Sequence, residues 1–302
     1  MKEYTTPPLM YPGSKSRAIN QIAPLIPTDI TDYREPFIGG GSVFLFLKSI
    51  NNNPNTSYWI NDLQPELYNF WVQIQNNPQE IIAQIKQWKI DFRDNQIGLT
   101  ELFQRDNIFK TFTPIQAAAK YYTLNRTVFG GKALLTNMKM QSPLFNDFIK
   151  SQSEENIQIV SYTMNGNSKT KITNLNYSYL LSNVSNPNST FLFLDPPYYS
   201  AKNLYGKGRF NNHQLFNHHT FAQQVKETKC KWLITYDDTP VIRSLFKDFT
   251  IIPFEFKYSM VNQRTGHEIF IMNYQPPVKP INNNNNNTKT AQSKKQFTIM
   301  DF

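Results

Sequence analysis

The chain has 302 residues, and its 31 lysines and arginines outnumber 22 acidic residues, which gives a formal net charge of +9. This surplus favours a polyanionic partner, because each phosphate that a protein neutralises releases counterions. The single cysteine, Cys230, excludes an internal disulfide and is typical of a reducing compartment. The sequence has no Cys/His cluster with zinc spacing, no apolar run of about 20 residues and no signal-peptide segment near its start. We therefore expect a soluble cytoplasmic protein that has no metal and does not cross a membrane.

A Gly-Ser turn within residues 11–17 runs into a predicted helix over residues 18–26. Free N–H groups and the helix dipole at such a position can bind an anion, and Lys15 adds a positive charge. The glycine spacing differs from that of a Walker A loop, so this turn does not predict an ATP site.

A glycine-rich loop follows the next predicted strand. Residues 32–38 lead into three glycines at 39–41 and then into an apolar helix over residues 43–50. The order of strand, glycine loop and helix is typical of nucleotide-binding folds, in which glycines let the backbone approach a ligand closely.

A second predicted strand, residues 57–62, ends in an acid, Asp62. In dinucleotide-binding folds an acid about 20 residues past the glycine loop accepts the hydroxyl groups of a ribose. Asp62 could instead cap the helix that begins near Pro65, and the two roles are compatible.

Residues 66–124 show helical spacing of apolar side chains, which we interpret as packing faces without chemistry. The following segment, residues 125–145, combines glycines with basic and aromatic side chains such as Arg126, Phe129 and Lys132. Such a segment can contact phosphates and insert an aromatic wedge at a base step. Solvated loops share the same composition.

The most informative motif follows the short apolar run at residues 191–194. There Asp195, Pro196, Pro197 and Tyr198 follow a predicted buried strand. The prolines leave carbonyl acceptors without N–H donors, Asp195 adds a carboxylate, and Tyr198 adds a flat aromatic face. Acceptors beside a stacking ring suit a planar ring with an exocyclic amine, and an adenine taken out of a duplex is one such ligand. Taken alone, the motif also fits a strand-ending turn that happens to contain an Asp.

The last part of the sequence predicts the end of the sheet. A strand over residues 232–236 and a helix from Pro240 form another βα unit, and strands over 249–256 and 267–274 should pair as a hairpin. We expect an α/β fold with a mostly parallel sheet that ends in an antiparallel hairpin. Residues 275–302 are polar and asparagine-rich, which predicts a disordered tail.

Taken together and in this order, the motifs resemble those of the DNA adenine methylase family, the D12 class of N6-adenine DNA methyltransferases. The resemblance covers residues 9–274, and no single glycine motif would carry it. The matching segments are the turn at 11–15, Glu-Pro-Phe-Ile-Gly-Gly-Gly at 35–41, the start of the target-recognition region at 124–131, Asp-Pro-Pro-Tyr at 195–198 and His-Glu-Ile at 267–269.

The resemblance implies AdoMet-dependent transfer of a methyl group to adenine N6 in a specific double-stranded DNA sequence. The implied fold is a Rossmann-like AdoMet-binding sheet with a mainly helical target-recognition insertion. Asp195 and the carbonyl of Pro196 would accept the N6 hydrogens, and Tyr198 would stack on the flipped base. Methyl transfer would then be a direct in-line displacement without a covalent enzyme intermediate.

The resemblance also implies binding residues and a division into domains. The cofactor, S-adenosyl-L-methionine, would be held by Tyr11, Lys15, Phe37, Gly39, Gly41, Asp62 and Asp195. The DNA would be contacted by Asn125, Arg126, Phe129 and Lys132. The catalytic domain would comprise residues 1–77 and 186–274, with a helical insertion at 78–185 and a disordered tail at 275–302.

The expected partner is double-stranded DNA, and the protein is expected to be a monomer that works with a cognate restriction endonuclease or as a solitary methylase. At the end of the tail, Gln296, Ile299 and Met300 resemble the short peptides by which bacterial replication and repair proteins bind the sliding clamp. The alternative is a tip that stays loose or folds back onto the protein.

Two questions stay open at this stage. Family members that read GATC carry an Asn at the position of Gly130 and an Arg shortly after it, whereas residues 130–134 are Gly-Gly-Lys-Ala-Leu, so no target sequence is assigned. Rival acceptors are RNA, cytosine N4 and a protein glutamine, although those last two classes usually have Ser and Asn where this chain has Asp195. A non-catalytic DNA-binding module would be expected to lose Asp195 or the glycine loop, and both are present.

Overall fold

The structure, a computed structural model, describes residues 4–129, 140–166, 168, 170–200, 216–257 and 265–277. Within these residues the chain forms one seven-stranded sheet with helices on both faces. The strands are β1 (Asp32–Glu35), β2 (Ser57–Asn61), β3 (Thr170–Thr173), β4 (Thr190–Leu194), β5 (Lys231–Asp237), β6 (Thr250–Lys257) and β7 (Thr265–Met272). The helices are α1 (Ile19–Ile22), α2 (Ser42–Ile50), α3 (Pro65–Asn76), α4 (Pro78–Asp91), α5 (Gln96–Phe109), α6 (Pro114–Thr127), α7 (Ser142–Lys150), α8 (Asn156–Asn165), α9 (Ser178–Ser182), α10 (His218–Glu227) and α11 (Pro240–Leu245).

The strand order is β3-β2-β1-β4-β5-β7-β6. The first five strands of this order are parallel, whereas β7 runs antiparallel between β5 and β6. This confirms the predicted Rossmann-like sheet with a terminal antiparallel hairpin. Strands β2 and β4 lie on opposite sides of β1, so the strand order reverses there, and open α/β sheets bind ligands at the carboxyl ends of the strands beside such a point. The glycine loop follows β1 and the Asp-Pro-Pro-Tyr motif follows β4, so both reach this place.

Strand β4 shows why the middle of the sheet reads as a continuous apolar run. Phe191 and Phe193 pack into the core on the side of α2 and α3, whereas Leu192 and Leu194 pack on the side of α10 and α11. A parallel strand covered by helices on both faces needs apolar side chains at every position. The carboxyl end of β4 is therefore rigid where the Asp-Pro-Pro-Tyr motif begins.

One local prediction is wrong, and one strand was not predicted. The continuous helix expected over residues 18–26 is divided into α1 and a 3₁₀ turn at Ala23–Leu25, because Pro24 has no N–H to continue an α-helix. The sequence also gave no strand at β3, a four-residue edge strand that pairs in parallel with β2 and carries the exposed Lys171. This strand belongs to the range 78–185, so the segment assigned to the insertion contributes to the sheet, and the division into domains stays a prediction.

The helical part of the chain contains a buried ion pair. The Nζ of Lys120 on α6 lies 2.8 Å from the Oδ2 of Asp106 on α5 and also donates to the carbonyl of Phe103 and to Asn107, at 2.9 and 2.8 Å. Both charged side chains are at most 10% exposed, and burial lowers the pKa of the Lys120 ammonium. Loss of one partner would leave the other charge buried alone, which typically costs about 3–5 kcal/mol.

We therefore expect Lys120→Met to lower the free energy of unfolding by about 3–5 kcal/mol in urea denaturation. The matched control is Lys86→Met, which removes an ion pair with Glu155 whose partners are both half exposed. The control should leave the unfolding midpoint unchanged, because solvent screens an exposed pair. Equal midpoints for the two variants would contradict the expectation.

Candidate active site

The Asp-Pro-Pro-Tyr motif is joined to the N-terminal turn by an ion pair. The Nζ of Lys15 lies 2.6 Å from the Oδ2 of Asp195, although 180 residues separate them in sequence. Lys15 is 5% exposed and also donates to the carbonyl of Gly13 at 2.8 Å, so the ammonium has a fixed position. The structure thus brings together two motifs that the sequence separates widely.

The second oxygen of Asp195 is held by a neighbouring strand. The hydroxyl of Thr235 on β5 donates to the Oδ1 of Asp195 at 2.7 Å. Lys15 and Thr235 thus bond different oxygens of the carboxylate, and these two contacts fix its orientation.

Tyr198 is fixed through its hydroxyl. The hydroxyl donates to the Oε2 of Glu268 on β7 at 2.6 Å, and the Nζ of Lys15 lies 5.1 Å from the centre of the ring. Glu268 is buried, so this bond is shielded from water. One end of the ring is therefore anchored while the side chain as a whole stays partly exposed at the crevice.

The backbone after the motif is anchored by Asp237 at the end of β5. Its two carboxylate oxygens accept hydrogen bonds from the backbone N–H groups of Tyr199 and Ser200, at 2.9 and 2.8 Å. Together with Thr235 and Glu268, this acid connects the motif to the β5–β7 side of the sheet.

The glycine loop is packed against aromatic side chains of the protein itself. Gly39 has φ +46°, and a Cβ there would lie 2.9 Å from the ring of Tyr11. Gly41 has φ +73°, and a Cβ there would lie 2.6 Å from the ring of Trp71 on α3. The indole N–H of Trp71 also donates to the carbonyl of Gly39 at 3.1 Å. The glycines are therefore required by internal packing and by left-handed backbone, in addition to any approach of a ligand.

Three serine hydroxyls join the N-terminal turn to the same loop. Ser14, Ser16 and Ser42 form a triangle with oxygen–oxygen distances of 2.8–2.9 Å, and Ser42 is the first residue of α2. The turn that carries Lys15 is thus attached to the helix that follows the glycine loop.

Asp62 lies at the end of β2 and faces the glycine loop. Its Oδ2 accepts from the N–H of Gly39 at 3.2 Å, and its Oδ1 accepts from the N–H of Gln64, just before α3, at 3.0 Å. Burial raises the pKa of the Asp62 carboxyl to about 6. Asp62 thus bonds the backbone of the loop and of Gln64, which is the N-cap residue of α3 and has no side-chain capping bond. The ribose-binding role of Asp62 stays a prediction.

A second acid, Glu35, is buried at the end of β1. It accepts a hydrogen bond of 2.5 Å from the hydroxyl of Tyr33, and burial raises the pKa of the Glu35 carboxyl well above its ordinary value. Asp195 raises it further. Burial therefore favours the protonated form of Glu35, and the carboxylate bonded to Lys15 is that of Asp195.

Phe37 belongs to an aromatic cluster beside the crevice. Its ring centre lies 5.4 Å from that of Tyr177 and 5.9 Å from those of Phe216 and Phe221. The side chain is partly buried, so the cluster supports one face and leaves part of the ring accessible.

The residues predicted to contact DNA are placed differently from one another. Asn125 is fully buried, and its side chain bonds the backbone of Met10 in both directions, at 2.8 and 3.0 Å. Arg126 is partly buried and donates to the carbonyl of Pro8 at 2.8 Å. Phe129 is 51% exposed. Lys132 lies outside the described residues. Residues 278–302, which include the predicted clamp peptide, also lie outside them.

In this structure Asn125 and Arg126 hold the segment that leads into Tyr11, the first residue of the N-terminal turn. Contact of Asn125 with a base or phosphate would require it to give up its bonds to Met10. Of the predicted DNA residues whose side chains are described, Phe129 alone presents a largely exposed surface. The DNA-contacting roles stay predictions.

The fold and these motifs place the chain among the Rossmann-like methyltransferases. A sequence model of the D12 class N6 adenine-specific DNA methyltransferase family matches residues 11–260, and the chain belongs to that family. The family transfers methyl groups to adenine in DNA and uses AdoMet as donor, so DNA is the substrate of this chain.

Curated relatives cover most of the chain at low identity. The chain is 25% identical over 273 residues to the Type II methyltransferase M.CviBI of Paramecium bursaria Chlorella virus NC1A, which is 87% of this chain and 95% of the relative. It is 24% identical over 254 residues to the Type II methyltransferase M1.LlaDCHI of Lactococcus lactis subsp. cremoris, which is 79% of this chain and 84% of the relative. A shorter match, 32% over 80 residues, covers 26% of this chain and 26% of a DNA adenine methylase of Vibrio cholerae.

Two features are absent from the described part of the chain. No helix there is long and apolar enough to cross a bilayer. Nor do the described residues contain a group of three or more His, Cys, Asp or Glu side chains that could hold a metal ion.

Sequence reasoning missed the residues that support the motif: Thr235, Asp237, Glu268 and Glu35. Thr235 falls inside the predicted strand 232–236, and Glu35 and Glu268 fall inside the matching motifs at 35–41 and 267–269, without an assigned role. A polar side chain at the carboxyl end of a buried parallel strand is the signal that could have identified them, because such positions meet at one edge of the sheet.

The raised pKa of Asp62 leads to a pH prediction. The carboxyl must be ionised to accept hydroxyl donors from a ribose, and it becomes protonated as the pH falls through about 6. We therefore expect AdoMet affinity to be about tenfold weaker at pH 5 than at pH 7, as measured by isothermal titration calorimetry. The variant Asp62→Asn should bind more weakly at pH 7 and show no decrease between pH 7 and pH 5. A native affinity that is flat over this range, or a variant that still loses tenfold, would contradict the role of Asp62.

Proposed function

We propose that this protein is the modification methyltransferase of a restriction–modification system, with Asp195, Pro196 and Tyr198 as its catalytic residues. The observation that carries the catalytic assignment is the arrangement at Asp195. Its carboxylate lies where the strand order reverses, is contacted at both oxygens by Lys15 and Thr235, and is followed by a partly exposed tyrosine ring. The restriction–modification setting is supported by the relatives, two of which are named Type II methyltransferases and a third the modification methylase StsI of Streptococcus sanguinis.

The residues present fit S-adenosyl-L-methionine. When bound, AdoMet supplies an electrophilic methyl group on a sulfonium ion. The carboxylate of Asp62 faces the glycine loop, where it can accept ribose hydroxyls. Lys15 would bind the carboxylate of the methionine part, and Tyr11, Phe37, Gly39 and Gly41 would form the walls.

Asp195 and the carbonyl of Pro196 would activate the adenine amine. The N6 lone pair is conjugated into the ring, so the nitrogen is a poor nucleophile until its hydrogens are held out of the ring plane. Two acceptors on those hydrogens make N6 more tetrahedral and direct its lone pair at the methyl group. The hydrogen that N6 loses after transfer would pass to Asp195 and then to solvent. Holding the reactants in line contributes through the effective concentration of the two groups.

Lys15 occupies one of these acceptors in the present structure. Its ammonium is bonded to the Oδ2 of Asp195, so the adenine amine must either replace it or approach beside it. A cofactor carboxylate that attracts the Lys15 ammonium would release this oxygen. Lys15 would therefore bond Asp195 first and the cofactor carboxylate afterwards.

Tyr198 would hold the flipped adenine by stacking. Stacking of a base on an aromatic side chain contributes about 1–3 kcal/mol, which offsets part of the few kcal/mol that flipping costs. The bond of its hydroxyl to Glu268 keeps the ring in place before the base arrives.

DNA would approach the face that carries Phe129. The net charge of +9 supplies sequence-independent attraction to the phosphates, and the exposed ring of Phe129 can act as a wedge at a base step. Asn125, Arg126 and Lys132 remain proposed contributors to this contact. A cognate endonuclease is the partner that a modification enzyme of this kind requires. The clamp contact through Gln296, Ile299 and Met300, like the monomeric state, rests on the sequence alone.

The proposal is tested by expressing the protein in cells that lack adenine methylation and sequencing their DNA for modified bases. We expect N6-methyladenine at one recurring sequence. Methylation at cytosine, or none in DNA, would contradict it.

We expect Asp195→Ala to lower the single-turnover rate of methyl transfer by about 100-fold or more, because the hydrogens of N6 lose their main acceptor. AdoMet binding should be largely retained, which also shows that the variant is folded. The control Asp29→Ala removes an acid whose exposed ion pair with Lys231 lies away from the site, and it should leave the rate unchanged. Retained activity with lost cofactor binding in the Asp195 variant would overturn the assignment.

Tyr198→Ala should impair methylation more on a matched target than on a target adenine opposite a mismatched base. A mismatched base costs less to flip, so it depends less on stacking in the pocket. Tyr198→Phe is the matched control: it keeps the stacking ring and loses the bond to Glu268, so any loss of activity should be equal on both duplexes. An equal loss on matched and mismatched duplexes in the alanine variant would count against stacking.

A further inference from the structure

Strand β5 contains an aliphatic hydroxyl, that of Thr235, in a fully buried run of aliphatic and aromatic side chains. Residues 232–236 are Trp-Leu-Ile-Thr-Tyr, and the side chains of Trp232, Leu233, Ile234, Thr235 and Tyr236 are all 0% exposed. A buried hydroxyl without a partner is costly, so its partner is informative. Thr235 donates to the Oδ1 of Asp195 at 2.7 Å.

The sheet register explains this contact. Leu194 on β4 pairs with Ile234 on β5, so the next position on each strand, Asp195 and Thr235, lie side by side at the carboxyl edge. Thr235 also pairs with Phe270 on β7, which leaves its backbone held on both sides. Its β-branched side chain has few accessible rotamers, so the direction of the hydroxyl is fixed by the strand.

We propose that Thr235 is a positioning residue for methyl transfer, whose hydroxyl holds Oδ1 of Asp195 and so turns Oδ2 toward the reacting amine. This inference rests on the proposed catalytic role of Asp195. A carboxylate that follows a strand can rotate about its Cα–Cβ and Cβ–Cγ bonds, and one strong bond from a rigid neighbour removes that freedom. Lys15 reaches only the other oxygen, and under the proposed function the cofactor carboxylate draws its ammonium away from Asp195. Thr235 is the contact that persists while Lys15 moves.

A positioning role and a packing role of Thr235 predict opposite orders of activity. Thr235→Val replaces the hydroxyl by a methyl group of nearly the same volume, so it removes the hydrogen bond and keeps the packing. Thr235→Ser keeps the hydroxyl and removes the methyl group. If the hydroxyl matters, serine is the active variant; if packing matters, valine is.

The measurement is single-turnover methyl transfer at saturating AdoMet and DNA, with cofactor affinity measured by calorimetry and base flipping followed by 2-aminopurine fluorescence at the target position. We expect Thr235→Val to be about 10- to 100-fold slower, with native cofactor affinity and a native flipping signal, because a bond to a charged group is lost only at the reacting carboxylate. Thr235→Ser should be within about threefold of the native rate.

The matched control is Thr190→Val at the opposite end of β4. Thr190 is also buried and also donates to a carboxylate, that of Asp32, at 3.1 Å, and to the carbonyl of Asn186 at 2.7 Å. This variant should show any general cost of removing a buried hydroxyl from the sheet, and its transfer rate should be native. If Thr235→Val does not fold, the pair Thr235→Ala and Thr235→Ser makes the same comparison, with alanine expected to be the slow member.

A native transfer rate in Thr235→Val, or a slow Thr235→Ser beside an active valine variant, would overturn the proposal. The Asp195→Ala variant distinguishes a failure of the proposed role of Asp195 from a failure of the proposed role of Thr235. If that variant is active, the catalytic role of Asp195 fails. If it is inactive while Thr235→Val is fully active, only the role of Thr235 fails.

Discussion

The ion pair between Lys15 and Asp195 is the contact on which the arrangement of this site depends. It joins a turn near the N-terminus to a strand end 180 residues later. Burial raises the pKa of the neighbouring Glu35 carboxyl well above its ordinary value. The triangle of Ser14, Ser16 and Ser42 then attaches the same turn to the helix after the glycine loop. Three segments that are distant in sequence therefore form one polar edge of the sheet.

The other half of the site comes from the antiparallel side of the sheet. Thr235, Asp237 and Glu268 each contact a different group of the segment 195–200: a carboxylate, two backbone N–H groups and a phenol hydroxyl. Because these contacts come from strand positions, they are more rigid than contacts from a loop would be.

The sequence was sufficient to identify those parts of the site whose residues are adjacent in the chain. Asp195 to Tyr198 and the glycines at 39–41 carry their chemistry in adjacent residues, and their order along the chain led to the fold. It was not sufficient for residues whose role depends on a partner that is distant in the sequence. Thr235 and Glu268 look like ordinary strand residues until the register places them beside Asp195 and Tyr198.

For Asn125 the structure shows a partner within the protein, and its contact with DNA stays a prediction. A polar residue in a basic, glycine-rich segment resembles a DNA contact, yet this one is fully buried and bonds the backbone of Met10. Periodicity likewise could not show β3, because four residues with a lysine among them give too short a pattern. Composition reports which groups are present, and only packing decides whether they face water.

The contact of Trp71 with the glycine loop has a consequence for how the two halves of the protein communicate. Trp71 touches Gly41 and bonds the carbonyl of Gly39, and it is part of α3, which packs against α6. Helix α6 in turn leads directly into the segment that follows Thr127. A ligand whose binding shifts this loop therefore also shifts the packing of α3 on α6. By thermodynamic reciprocity, a change in that packing alters the affinity of the loop for the ligand. Exchanging the helical region for that of another protein would therefore also change the affinity of the loop for its ligand.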